Sequence, residues 1–297
     1  MSKLKPISKV LLAGHRHQER SLEDIKHLLE FLRANGIRFA AERLFGTYLR
    51  NNGFDLSEME ITDLPDPEAG AVISIGGDGS FMRAARWVGS LEIPVLGINT
   101  GHLGFLASYT PSEMPELVEM LHNGSAEVES RMALMVDLGK EGDKTPQPPL
   151  YALNEVAILK EDTASMINVN TTVNGHYLAD YLADGLIVST PAGSTGYNLS
   201  AGGPILSPTL NAICITPIAP HTLTFRPLVV DARSIIEART TSRASHYRVS
   251  LDGISFLMDV DTLISIRKAD FTPRVIRRDN DSFADTLRNK LLWGRRN

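Results

Sequence analysis

The chain opens as an alternation of short apolar runs and amphipathic stretches. Val10-Leu11-Leu12 reads as a buried strand, and residues 21–32 read as a helix with Ile25, Leu28, Leu29 and Leu32 on one face. Ser21 is placed to cap that helix and Gly36 to end it. The same rhythm returns at 71–75, at Ile93-Pro94-Val95-Leu96-Gly97-Ile98, and in a helix over 112–121. Strands alternating with helices predict a parallel sheet. From about Arg131 the pattern changes, and strand-length runs rich in β-branched residues follow one another at 135–138, 153–159, 167–173, 186–189, 213–218, 247–251 and 263–266. Asn174-Gly175 and Asp252-Gly253 are favoured type I′ hairpin turns, so this half is predicted to be mostly antiparallel. Residues 140–149, with three prolines, read as an exposed loop inside it. The expected division is an α/β domain over 1–131, a β-rich domain over 132–270, and a tail over 271–297 that packs back on the first domain.

A length of 297 residues allows two ordinary domains with packed cores. The formal net charge of −5 gives no general basic field, which argues against a nucleic-acid binder. The single cysteine, Cys214, lies in the apolar run 212–215 and reads as a buried small side chain. No window approaches the ~20 apolar residues of a membrane span, so a soluble cytoplasmic protein is expected. The last segment carries Arg274, Arg277, Arg278, Arg288, Lys290, Arg295 and Arg296, with Phe283, Leu287, Leu291 and Leu292 at helical spacing. Two readings are open there: the solvated basic face of a packed helix, or a surface for phosphate or a partner.

Candidate chemistry concentrates in three places. Gly76-Gly77-Asp78-Gly79-Ser80 ends the apolar run 71–75 and opens a helix through Phe81, Met82, Ala84, Ala85 and Trp87. Glycines let backbone N–H groups turn toward an anion beside a helix N-terminus. A carboxylate among such amides would repel phosphate unless it meets a hydroxyl, a metal or another donor, which makes Asp78 the candidate chemical group. The plainer alternative is a strand-to-helix turn with Asp78 as its cap. Neither the G-x-G-x-x-G spacing nor the P-loop pattern is present. Asn154-Glu155 interrupts an apolar strand and could bind a base edge and a ribose diol, or could be the wet face of an edge strand. Ala183-Asp184-Gly185 leads into the stretch 191–204, where glycines, small hydroxyl residues and Tyr197 form either a nucleotide cradle or a flexible loop anchored by its apolar flanks. His15-Arg16-His17 lacks zinc-ligand spacing, His221 reads as structural, and no protein metal site is expected.

Taken in order, Gly76 to Ser80, Pro94 to Leu106, Asn154-Glu155, Asp184 to Pro204, and Thr216 to Leu223 followed by Arg226-Pro227 make the chain resemble the NAD kinase family over residues 71–230. The glycine-aspartate element alone is also similar to those of phosphofructokinases and of lipid kinases related to diacylglycerol kinase. The resemblance implies ATP-dependent phosphorylation of the adenosine ribose 2′-hydroxyl of NAD, giving NADP. It implies a Rossmann-like, phosphofructokinase-like α/β N-terminal domain and a β-rich C-terminal domain of β-sandwich type. By the same resemblance Asp78 is the proton acceptor, Gly79 and Arg83 belong to the nucleotide-binding turn, Asn154 and Glu155 hold the adenosine part of the acceptor, and Asp184 is a further acceptor contact. Thr195, Gly196, Tyr197, Asn198, Leu199 and Ser200 match a loop that wraps it. Mg²⁺ or Mn²⁺ carried by ATP, and a homodimer or homotetramer assembled through the β-rich half, are implied too. Leu182, Gly196 and Ile254 depart from the family pattern, where a basic residue, alanine and glutamine are common. A diacylglycerol-type lipid kinase and a non-catalytic NAD-binding sensor are the alternatives.

Overall fold

The computed structural model describes residues 2–14, 21–57, 59–101, 104–139, 150–161, 165–278 and 282–293. The loop expected at 140–149, the His15-Arg16-His17 triplet, Arg295 and Arg296 lie outside the described residues, as do His102 and Leu103. The chain divides into two compact units, Met1–Ser130 with Pro273–Asn297, and Arg131–Thr272. The first contains strands β1 (Ser2–Lys3), β2 (Lys9–Gly14), β3 (Arg38–Glu42), β4 (Glu60–Thr62), β5 (Ala71–Ile75), β6 (Val95–Ile98) and β7 (Glu127–Ser130). Its helices are α1 (Leu22–Ala34), α2 (Arg43–Asn51), α3 (Asp78–Val88) and α4 (Met114–Asn123). The second unit contributes β8 (Leu134–Asp137), β9 (Leu150–Ala152), β10 (Glu155–Lys160), β11 (Ile167–Val173), β12 (His176–Ala183), β13 (Gly185–Ser189), β14 (Ala212–Ile218), β15 (Leu228–Asp231), β16 (Ile236–Thr241), β17 (His246–Leu251), β18 (Ile254–Asp259) and β19 (Leu263–Lys268), with the one-turn helix α5 (Tyr197–Ser200). The chain then returns to the first unit as β20 (Arg274–Arg277) and α6 (Phe283–Leu291).

Strands β5 and β6 are buried at every position, and β2 at all but Lys9. Strands of that kind need cover on both faces, which a parallel sheet with flanking helices provides. The order is β1-β7-β20-β6-β5-β2-β3-β4, parallel from β20 to β4, with β7 antiparallel to both of its neighbours, β20 and β1. Ile25, Leu28 and Leu32 of α1, Phe45 and Leu49 of α2, and Leu117 and Leu121 of α4 share a core with Val10, Ile73 and Leu96. Helix α1 ends where expected, with Gly36 at φ +67°, although the Ser21 side chain makes no capping bond. From β2 the chain moves outward through β3 and β4, then returns to the other side of β2 for β5 and β6. The topological switch therefore falls between β2 and β5, and ligands of such sheets bind at the carboxyl ends of the strands there.

The second unit is two antiparallel sheets, β15-β14-β13-β10-β17-β18 and β12-β11-β16-β19-β8-β9. Leu134, Val169 and Ile264 of one sheet share a core with Val156, Leu186, Ile215 and Tyr247 of the other, which makes a β-sandwich. Both expected hairpin turns are type I′, with positive φ at Asn174 and Gly175 and at Asp252 and Gly253. Cys214 is buried. The apolar periodicity does not reveal β12, β15, β16 or β18. Three of these stand at sheet edges, and outward residues such as Tyr177, Val229, Leu257 and Glu237 blur the alternation. A further difference concerns 153–159, expected as one strand. The chain breaks at Leu153-Asn154, between β9 and β10, which belong to different sheets.

Candidate active site

Asp78 stands just past the carboxyl end of β5, at the first residue of α3. Its carboxylate is held by three backbone donors from the segment after β6: Phe105 N–H donates to Oδ2 at 2.8 Å, and Leu106 and Ala107 N–H donate to Oδ1 at 3.0 Å each. A carboxylate offers about four acceptor positions, so three are filled and one remains on Oδ2. The group is thereby fixed in direction with a single lone pair free for a hydroxyl. Gly104 makes the close approach possible, because a Cβ there would collide with the Asp78 carboxylate. Of the glycines in the turn, only Gly76 takes positive φ, at +132°. Gly77 and Gly79 are exposed and have open space where a side chain would stand, so a ligand can reach their backbone.

Arg83 does not point its charge into this turn. Its guanidinium donates to Glu42 at 2.6 Å and to the Gly14 carbonyl, tying α3 to the ends of β3 and β2. In this arrangement Arg83, expected by resemblance among the nucleotide-binding residues, braces the switch point.

In the second unit Asn154-Glu155 occupies the corner between the two sheets, and β10 lies inside its sheet between β13 and β17. The edge-strand reading is thus overturned. The corner is clamped by a residue that sequence reasoning treated only as part of a hairpin turn. Asp252 accepts N–H bonds from Leu153 at 2.7 Å, Asn154 at 2.8 Å and Glu155 at 3.1 Å. Nothing in its sequence neighbourhood signals this, because its partners lie 97 to 99 residues away. Asn154 Oδ1 and Glu155 Oε2 are buried and meet no hydrogen-bond donor among the described residues. Buried acceptors left unmet are costly, and their natural partners are ligand hydroxyls and amines.

The stretch after β13 is ordered against this corner. Thr190 N–H donates to the Asn154 carbonyl at 2.8 Å and its hydroxyl to the Leu153 carbonyl at 2.6 Å, while Gly193 N–H donates to the Thr190 hydroxyl at 3.0 Å. A Cβ on Gly193 would fall inside the Asn154 backbone, and one on Gly196 would stand 3.2 Å from Glu155 Oε2. The flexible-loop alternative is therefore set aside. Asn198 is fully buried and engaged within the loop: its amide donates to the Ser194 and Pro204 carbonyls at 3.2 and 3.1 Å and accepts from Thr216 at 2.6 Å. These bonds make Asn198 part of the loop's own scaffold. Thr195 donates to the Ala192 carbonyl at 3.3 Å, Leu199 is partly buried, and Tyr197 and Ser200 are exposed. Asp184 is paired with Lys160 at 2.6 Å. His221 is exposed, and its N–H donates to the Leu182 carbonyl.

Burial, reinforced by the nearby Asp252 charge, pushes the Glu155 carboxyl up to about 7. Between its ordinary value of 4.5 and about 7 the folded chain holds a proton that the unfolded chain has lost, so stability falls as pH rises through that window. The melting temperature is expected to decline from about pH 5 to about pH 8, and Glu155→Gln is expected to flatten that decline. Parallel curves for the two proteins would sink the assignment.

The chain matches the ATP-NAD kinase N-terminal domain over residues 10–126 and the ATP-NAD kinase C-terminal domain over 153–278. A NAD kinase from Bacteroides fragilis is 42% identical over 96% of this chain and 98% of its own length, and one from Porphyromonas gingivalis is 42% identical over 97% and 99%. Among solved structures, an Archaeoglobus fulgidus NAD kinase in complex with ATP superposes with a TM-score of 0.70 at 27% identity, covering 95% of this chain and 97% of that one. Yeast NADH kinase complexed with NADH shares the fold, with a TM-score of 0.85 at 23% identity over 100% of this chain and 90% of that one. Two domain matches in the expected order, and relatives this similar along nearly the whole length, establish that the chain belongs to the ATP-NAD kinase family.

Proposed function

We propose that the protein transfers the γ-phosphoryl group of ATP to the 2′-hydroxyl of the adenosine ribose of NAD. The observation that carries the chemical part is the anchorage of Asp78, whose three backbone donors leave one acceptor position for an alcohol. A free aspartate near pKa ~3.9 cannot deprotonate a ribose hydroxyl before attack. Phosphoryl transfer does not require that, since its transition state is loose and the proton leaves late. Asp78 therefore orients the hydroxyl and receives its proton as the new bond develops, a contribution of about 10²–10⁴-fold in rate.

Asn154 Oδ1 and Glu155 Oε2, both unmet, are matched to the donors of an adenosine group, an exocyclic amine and a sugar hydroxyl. A protonated Glu155 can also donate. The Asp252 clamp and the Gly193 contact hold the pair in direction. Magnesium or manganese ions commonly take phosphate oxygens and waters with few carboxylates, and since the open position on Asp78 is assigned to the alcohol, the ion would be held chiefly by the donor's triphosphate. Such an ion supplies charge neutralisation on the transferring phosphoryl group.

The relatives' names favour this activity over a diacylglycerol-type kinase, and an anchored carboxylate at the turn favours it over a non-catalytic sensor. No described helix is long and apolar enough to cross a membrane. Exposed Ile254 and Leu257 on the edge strand β18 and Leu182 on β12 support a homodimer or homotetramer formed through the β-rich unit, which light scattering of the purified protein checks. The decisive assay is NADP formation from NAD, ATP and Mg²⁺, read with an NADP-specific dehydrogenase. No NADP above a blank lacking enzyme would overturn the reading.

A further inference from the structure

The basic residues of the C-terminal segment separate into two sets. Arg274 is paired with Glu92 at 2.6 Å, Arg278 with Glu113 at 2.6 Å, and Arg288 with Asp285. The side chains of Arg277 and Lys290 make no hydrogen bond or ion pair among the described residues. Arg277 is 6% exposed, and its Nε is buried without an acceptor. Lys290 lies over the Phe105 ring, 5.8 Å from the centroid, in the field of the Asp78 carboxylate. Burial pulls its ammonium below the usual lysine range, and Asp78 opposes that pull.

Both cations line one cavity of about 340 Å³, whose walls include Gly104 and Phe105, the residues that stand against Asp78. The acids of that wall are already engaged, Glu113 by Arg278 and Thr110, and Asp285 by Arg288 and Ser282. Two unanswered cations thus face one cavity next to the residue that handles the alcohol. A guanidinium buried with an unmet N–H is costly unless an anion meets it, and its planar fork suits phosphate oxygens. The arrangement also accounts for the return of the chain to the first unit: β20 places Arg277 beside β6, and α6 carries Lys290 to the carboxyl edge of the parallel sheet.

We propose that this cavity is a phosphate-binding site in which Arg277 and Lys290 grip the terminal phosphates of the donor. The assignment rests on the kinase reading for the identity of the donor, but the anion site itself can be tested without turnover. Calorimetry with inorganic tripolyphosphate and, separately, with NAD is run on the parent protein, Lys290→Gln, Lys290→Arg and Arg277→Lys. Loss of one charged hydrogen bond is expected to weaken tripolyphosphate binding in Lys290→Gln by about 10- to 100-fold, with NAD binding unchanged and Lys290→Arg largely restored. In steady state the KM for ATP rises in Lys290→Gln and that for NAD does not. Arg277→Lys keeps the charge but loses the fork, and is expected to weaken tripolyphosphate to a smaller extent. The site is overturned if both Lys290→Gln and Arg277→Lys bind tripolyphosphate and ATP as the parent does, or if Lys290→Gln loses NAD and tripolyphosphate alike. A parent protein that forms no NADP, while Lys290→Gln still loses tripolyphosphate, leaves the anion site standing and removes the kinase reading.

Discussion

Asp78→Asn is expected to lower kcat for NADP formation by about 10²–10⁴-fold, the usual worth of a positioned proton acceptor. The substitution is nearly isosteric, but it is not silent in the fold. Asn presents one amide oxygen and one NH₂ where Phe105, Leu106 and Ala107 all present N–H groups. The oxygen can keep Leu106 and Ala107, leaving two donors opposed at Phe105, at a cost of about 1–3 kcal/mol. Two readouts therefore move together: a modest fall in melting temperature and a large fall in turnover. Since the acceptor's adenosine contacts are assigned to other residues, the KM for NAD is expected to change little. A folded Asp78→Asn protein that turns over like the parent removes Asp78 from the chemistry.

Gly193→Ala is expected to have the largest effect on the acceptor corner. The new methyl group would overlap the backbone of Asn154, which is fixed by Asp252 from one side and by Thr190 from the other. Backbone cannot turn aside as a long side chain can, so the corner must open. Overpacking of this kind costs about 1–3 kcal/mol and sometimes more. The displaced Asn154 and Glu155 are expected to raise the KM for NAD well beyond that for ATP, with a lowered melting temperature. Should Gly193→Ala melt and bind NAD as the parent does, the corner is more yielding than its contacts indicate.

How much of this was legible in the chain itself depended on how local each signal is. The parallel strands announced themselves because full burial leaves an uninterrupted apolar run, as at Ala71–Ile75. Both type I′ turns were legible from two residues each. The glycine-aspartate turn was placed correctly, but the three amides that hold Asp78 come 27 to 29 residues later, from a loop with no periodicity of its own. Asn154-Glu155 was misread as the middle of a strand, since Leu153 and Val156 to Leu159 form one apolar run across the break. Asp252 was recognised for the φ it adopts and not for the carboxylate it carries. The basic tail was ambiguous for a different reason: charge along the chain does not say which cations find acids, and only the fold separates Arg274 and Arg278 from Arg277 and Lys290.

Strand β20 sits between β6 and β7, so the first unit's sheet is bridged at that place by residues synthesised after the entire sandwich. During translation the N-terminal part emerges with a gap where its late-arriving neighbour belongs, and β7 has no partner on the β6 side until the last segment leaves the ribosome. Closing that gap is a long-range event with a high loop-closure cost, which favours slow completion of the unit. A fragment ending after β7 would carry two unsatisfied strand edges and is a poor candidate for independent expression, whereas a fusion that reconnects β7 to the final segment by a short linker keeps every ladder of the sheet.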